Sequence, residues 1–282
     1  MKILSFLVKD RPSWGALITH GIVDLGRRTG FPDLRTALAA DVLSALPEDL
    51  ASEAPDHQLE ELIFLPVIPD PKKIFCIGTN YHDHRIETGR EVPAYPVVFT
   101  RFANSQVGHG QPLARPIVSE QFDFEGEIAV VIGRGGRRIA EEDAYAYIAG
   151  YAPYCDGTVR DWQRHTHQWI PGKNFPKTGG FGPWMVTRGE ITDGADLTLL
   201  TRLNGAEVQR TQVSLMIFSI PKLIAYCSTF TELEPGDIIV TGTPGGVGGK
   251  RVPPLWMKDG DVLEVEVSQI GILRNPIKDE VA

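Results

Sequence analysis

Cysteine is sparse in this chain: Cys76, Cys155 and Cys227 are three residues in 282, far apart and without C-x-x-C spacing. An odd, scattered set excludes a disulfide framework and a cysteine-ligated zinc site, and it suits a reducing compartment. Long apolar runs are missing too. Nothing approaches the roughly 18 to 20 residues of a membrane span, and the apolar stretch between Lys2 and Lys9 is too short for the core of a secretion signal. The expectation is a cytoplasmic protein that neither crosses a membrane nor anchors in one. Basic runs are also lacking. With a net charge of -8 and only the Arg134, Arg137, Arg138 cluster beside glycines, read as a solvated turn, the chain carries no nucleic-acid footprint.

What is present is a soluble, globular composition with dense β-like runs. Residues 1–68 read as a small N-terminal domain: a strand from Ile3 to Val8, a second from Ala16 to Val23, and helical segments between Leu34 and Leu50. Pro66, Pro69 and Pro71 follow within six residues, which neither a helix nor a central strand sustains, so the junction with a second domain, 69–282, falls here. That domain alternates short strands with Gly and Pro breaks. Strands are expected at Ile74–Ile77, Val97–Thr100, Glu125–Ile132, Leu197–Leu203, Asp237–Thr241 and Val262–Val267, with a type I′ hairpin turn at Asn204-Gly205. Helices are expected at Glu141–Ala149 and at Pro221–Ser228, the latter opened by Ser219 and Pro221. The class is mainly β within an α+β fold.

Glu125 and Glu127 stand at an i,i+2 spacing in Phe124-Glu125-Gly126-Glu127-Ile128, so on a strand both project from one face. Such pairs usually face solvent. Here Ile128 to Ile132 are apolar on both parities, the mark of a strand buried on both faces. Buried carboxylates protonate, find a cation or hold a hard divalent ion such as Mg²⁺. Further upstream, Asn80 is placed to cap a short helix and Gly89 to end it, putting His84 and Glu87 at i,i+3 on one face. A carboxylate beside an imidazole orients it and raises its basicity, as a general base requires. Thr241 to Gly249 is a Gly-rich loop without the Lys-Ser/Thr ending of a phosphate-binding loop.

Taken in order, Asn80-Tyr81-x-x-His84-x-x-Glu87, Phe124-Glu125-Gly126-Glu127, Asp156-x-x-x-Arg160-Asp161-x-Gln163, Gly172-Lys173-x-Phe175 and Thr241-Gly242-Thr243-Pro244-x-Gly246-Val247-Gly248 resemble the fumarylacetoacetate hydrolase family over residues 72–277. The resemblance implies a mixed β-sandwich or roll as the catalytic domain. It implies one Mg²⁺ or Mn²⁺ held by Glu125, Glu127 and Asp156, with Lys173 beside the metal against substrate oxygens. His84 and Glu87 match a water-activating dyad on a mobile lid, and Arg160, Gln163 and Thr243 match positions that hold the 2-oxo acid end. Arg101 stands where relatives often carry Lys and is expected to meet the substrate carboxylate. His165 and His167 are read as structural or pocket-lining, and Trp162, Trp169 and Trp184 as core.

The implied reaction is hydrolysis of a C–C bond in an acylpyruvate or β-diketo acid, with the cation and Lys173 stabilising an enolate. The same site serves isomerisation or decarboxylation of 2-oxo or 2-hydroxydienoic diacids, and the His84–Glu87 pair favours hydrolysis. A metal-stabilised scaffold without catalysis is the non-enzyme alternative. Family members are usually homodimers, and the apolar stretch from Leu215 to Tyr226 offers an interface. On this reading Glu125→Ala abolishes metal binding and activity together and leaves the fold largely intact.

Overall fold

A computed structural model describes residues 1–47 and 49–281; Glu48, inside the helical stretch expected between Leu34 and Leu50, and Ala282 lie outside the described residues. The path of the large sheet runs Gly21–Asp24, Arg11–Ile18, Lys2–Val8, Met185–Thr187, Ile148–Cys155, Gly126–Ile132, Ile238–Val240, Ile74–Gly78, Val97–Thr100. A second, five-stranded sheet is ordered Ala206–Gln212, Thr198–Leu203, Val262–Val267, Gly271–Asp279, Leu113–Arg115. The two pack as layers of a mixed sandwich. No helix among the described residues is long and apolar enough to cross a membrane.

The strand Gly126–Ile132 shows why its sequence is apolar on both parities. Ile128, Val130 and Ile132 enter the core shared with Leu199, Leu263 and Val265 of the second sheet. Ala129 and Val131 point the other way, into a core with Ile3, Trp14 and Leu34. Burying both faces gains about 1.5–3 kcal/mol for each large aliphatic side chain, so the strand is a spine rather than a surface. Residues 1–68 extend this sheet: Lys2 and Ile3 pair with Val186 and Met185, and Val67 and Ile68 join the same core.

Several expected elements are where the patterns put them. Val97–Thr100 and Val262–Val267 match at both ends, and helix Ile220–Phe230 is capped by the Ser219 side chain on Lys222 N. Asn204 and Gly205 both have positive φ, as a type I′ turn requires. Three expectations fail. The span from Ala16 to Val23 breaks at His20 into two antiparallel strands. Glu141–Tyr147 is a 3-10 helix that stops because Ile148 begins a central strand, whose Gly150 and Pro153 hide it from pattern reading. Asn80 does not cap the helix His82–Thr88; its amide instead bridges Phe218 N, Phe218 O and Thr241 O.

Candidate functional site

Antiparallel pairing of Gly126–Ile132 with Ile148–Cys155 places the acids. Gly126 sits opposite Cys155, and Asp156 N donates to Glu125 O at 2.9 Å, so Asp156 falls beside Glu125 although 30 residues separate them. Oxygens of Glu125, Glu127 and Asp156 lie within 4.8 Å of one another, and all three residues are buried. The glycine between the glutamates has its own reason. A Cβ on Gly126 would stand 2.0 Å from Thr201 Oγ1 of the facing sheet, so only glycine lets this strand seat there. We expect Gly126→Ala to lower stability by about 1–3 kcal/mol or more in a thermal melt, the cost of an overpacked core.

Three cations enter the same interior. Lys173, 1% exposed at the end of helix Ile170–Lys173, lies 2.7 Å from Glu125 Oε2 and 2.5 Å from Asp156 Oδ2. Arg160 contacts Glu125 Oε1 and Asp123 Oδ2, each at 2.6 Å. Arg101 donates to Asp156 Oδ1 at 2.6 Å, to Gly157 O and to Thr178 Oγ1. Four carboxylates, those of Asp123, Glu125, Glu127 and Asp156, thus meet three cations, and Glu127 is the one without a cationic partner. Among the described residues, its carboxylate accepts one hydrogen bond, from Gly242 N.

That imbalance drives the two glutamates apart. Burial raises the pKa of Glu127, and the charges of Asp156 and Glu125 raise it further, well above the carboxylate range. Burial acts on Glu125 too, but Lys173 and Arg160 outweigh it and hold its carboxyl down. A buried all-oxygen set that is one positive charge short fits a hard divalent cation such as Mg²⁺ or Mn²⁺.

His84 roofs the site on the helix His82–Thr88, which ends at Gly89 in the left-handed conformation. Its Nδ1 lies 2.7 Å from Glu87 Oε1, and Glu87 Oε2 accepts from Gly246 N at 2.9 Å, so one carboxylate orients the imidazole and ties the helix to the Gly-rich loop. His84, Glu125, Glu127, Arg160, Lys173 and Thr243 line one cavity of about 500 Å³, within the size of a small-molecule site. Gln163 lines it too, accepting from Arg160 Nη1 at 3.0 Å and keeping its amide hydrogens to donate.

Two expected contacts need revision. Arg101 is buried behind Asp156 and absent from the cavity wall, so its guanidinium holds the Asp156 carboxylate in place and does not face the cavity. Thr243 is on the wall, but its hydroxyl proton goes to Gly126 O at 3.0 Å, which leaves a lone pair and a backbone N–H for a substrate. Of the remaining candidates, His165 packs on Trp162 and His167 lines the cavity, both apart from the acids. Trp184 sits against the core, while Trp169 lines the cavity.

Two residues of the site escape motif reading. Asp123 is fully buried and accepts from Phe124 N, Gly248 N and Gly249 N as well as from Arg160 Nε, joining the Gly-rich loop to the Arg160–Gln163 pair. Its signal was parity: Asp123, Glu125 and Glu127 are three acids at alternate positions. Gln209 reaches across from the second sheet to bond Thr243 Oγ1, Pro244 O and Gly126 N. Nothing local in the sequence marks it.

Comparison with known proteins agrees with this geometry. Residues 73–278 match the family model described as fumarylacetoacetate (FAA) hydrolase C-terminal. An oxaloacetate tautomerase of Bacillus subtilis is 43% identical over 225 residues, covering 78% of this chain and 75% of the relative. Among solved structures, a fumarylacetoacetate hydrolase from Exiguobacterium antarcticum superposes with a TM-score of 0.88 at 32% identity, covering 99% and 100% of the two chains. A maleylpyruvate hydrolase from a Sphingobium species, in complex with manganese(II) and pyruvate, gives 0.82 at 26% identity with full coverage of both. With the motifs, the matched span and the buried acids in agreement, the chain belongs to the fumarylacetoacetate hydrolase family of enzymes.

Proposed function

We propose that this enzyme interconverts the keto and enol forms of a 2-oxo acid of the oxaloacetate type in a divalent-metal-dependent reaction. The observation that carries the reading is the His84–Glu87 pair, an oriented base lining the cavity that holds the acid cluster; such a base takes a proton from carbon as well as from water, so the pair no longer favours hydrolysis as the sequence alone suggested. The B. subtilis relative, named an oxaloacetate tautomerase, supports the choice of substrate.

A divalent ion held by Glu125, Glu127 and Asp156 would supply positive charge beside the 2-oxo carboxylate; the Sphingobium relative is described with manganese(II). The chain's own groups do the rest. Glu87 engages Nδ1 of His84, leaving Nε2 to exchange the proton. His84 removes a proton from C3, the bonding pair becomes the C2–C3 double bond, and the 2-oxo oxygen takes the charge. The Lys173 ammonium steadies that oxygen, and the proton taken up by His84 is passed to it, which completes the enol and frees the imidazole for the next turnover. Arg160 and Gln163 hold the carboxylate end.

A second reading keeps the site and replaces proton transfer by water attack on an acylpyruvate, cleaving a C–C bond. The hydrolase neighbours from Exiguobacterium and Sphingobium favour it. Two assays separate the readings: decay of enol-oxaloacetate absorbance, and pyruvate release from acylpyruvates. The tautomerase reading expects the first to be fast and the second slow. On either, His84→Ala is expected to lower kcat about 10²–10⁴-fold, the usual worth of a positioned base. A loss within twofold would remove His84 from the chemistry.

A further inference from the structure

The charges lining the cavity are sorted by depth. Its acids, Glu125 and Glu127, are buried with Lys173 at the inner end. At the mouth the charged side chains are Arg90, Arg164 and Lys250, all exposed, and among the described residues none has a carboxylate within ion-pair reach. Paired surface cations occur, as Arg115 with Asp279 and Arg188 with Asp193 show, and so do unpaired ones such as Lys9, Arg11 and Lys258; what distinguishes the rim is that three of the latter kind share one cavity with the acid cluster. A cavity that gathers unpaired cations at its rim, in a protein of net charge -8, is built to receive an anion.

Arg90 is fixed there by an aromatic wall. Lys173 Nζ lies 5.0 Å from the centre of the Phe99 ring, Phe99 and Trp169 meet edge to face at 5.3 Å, and the Arg90 guanidinium lies 4.7 Å over Trp169. The indole is seated against Gly78, where a Cβ would come within 2.3 Å of it. These rings lead without a break from the reacting end to the rim. Stacking holds the guanidinium plane while leaving its N–H fork free for a carboxylate. Among the described residues its side chain makes one hydrogen bond, a long one of 3.4 Å to Thr79 Oγ1. Lys250 closes the 3-10 turn Gly248–Lys250, which Asp123 pins through Gly248 N and Gly249 N.

We propose that this rim is a subsite for a second carboxylate, with Arg90 as its principal contact and Lys250 and Arg164 beside it, so that the enzyme selects 2-oxo diacids over 2-oxo monoacids. The proposal rests on the 2-oxo acid reading above and adds which residues read the far end of the molecule.

Calorimetric titration of the Mn²⁺-loaded protein with pyruvate, oxaloacetate and 2-oxoglutarate tests it without reference to turnover. At least one diacid should bind wild type about tenfold or more tighter than pyruvate, a margin of about 1.4 kcal/mol. The double variant Arg90→Ala/Lys250→Ala should erase that margin while holding pyruvate within about twofold, and Arg90→Lys should keep part of it, since a point charge replaces a fork. Diacids no tighter than pyruvate on wild type, or a margin that survives in the double variant, would overturn the subsite. Failure of pyruvate itself to bind the Mn²⁺ protein would overturn the 2-oxo acid reading, and the subsite with it.

Discussion

Glu127→Gln is expected to fold as well as the metal-free wild type and to lose metal-dependent stabilisation, whereas Glu125→Ala is expected to be unstable before any metal is added. The two glutamates are two residues apart on one face, yet their electrostatic positions are opposite. Glu127 has no cationic partner and is pushed toward its neutral form by burial and by Asp156, so an amide imitates what the metal-free site already prefers. Glu125 is the counter-charge of Lys173 and Arg160, and its removal leaves both with one carboxylate fewer in a dry interior. Breaking a buried pair in this way costs about 3–5 kcal/mol, with the lower figure apt here because Lys173 keeps Asp156 and Arg160 keeps Asp123. The expectation that Glu125→Ala spares the fold therefore gives way to one in which Glu127→Gln is the clean metal-binding knockout. Urea melts with Mg²⁺ and with chelator check both. Wild type should gain about 2.7 kcal/mol at a hundredfold excess over Kd, and Glu127→Gln nothing. A Glu127→Gln protein that still gains stability from the ion would remove Glu127 from the ligand set.

Asp123→Ala is the second large effect. One carboxylate accepts from three backbone N–H groups and from Arg160, so its loss leaves the buried Arg160 with Glu125 as its one remaining carboxylate and unpins the Gly-rich loop at Gly248 and Gly249. About 3–5 kcal/mol of stability should go with it. Asp123→Asn keeps an acceptor and most of the shape, and it serves as the readable variant if the alanine protein does not fold. Because Asp123 acts through Arg160 and Gln163 rather than on the substrate, the asparagine variant should show its deficit in KM more than in kcat. A loss confined to kcat with KM unchanged would contradict this positioning role.

Much of the site was legible because its residues come in local patterns. Glu125 and Glu127 share a strand parity, His84 and Glu87 share a helical face, and the structure unites each pair as the spacing requires. Asp156 and Lys173 depended on the family-like order of motifs, since no local rule says that Cys155 will pair with Gly126. Arg101 and Thr243 show the limit of reading a role from a position. Both stand in the right neighbourhood, but the hydrogen bonds they have already made decide what they can offer. Gln209 was invisible because its task is set by a contact between two sheets. The strand Ile148–Cys155 was missed for a related reason: its Gly150 and Pro153 read as breakers, and only the strands around it make them tolerable.

The family match begins at residue 73, but the hydrogen-bonded sheet does not. Lys2 and Ile3 are zipped to Val186 and Met185, and Ile3, Trp14 and Leu34 cover the face of Ala129 and Val131, on the same strand that carries Glu127. A polypeptide begun at Lys73 would retain every residue of the acid cluster and the dyad while baring a raw strand edge and a greasy flank, an invitation to clump with its own kind. The span matched by the family model is thus narrower than the unit that packs together, and the scissors of a protein engineer should not follow it.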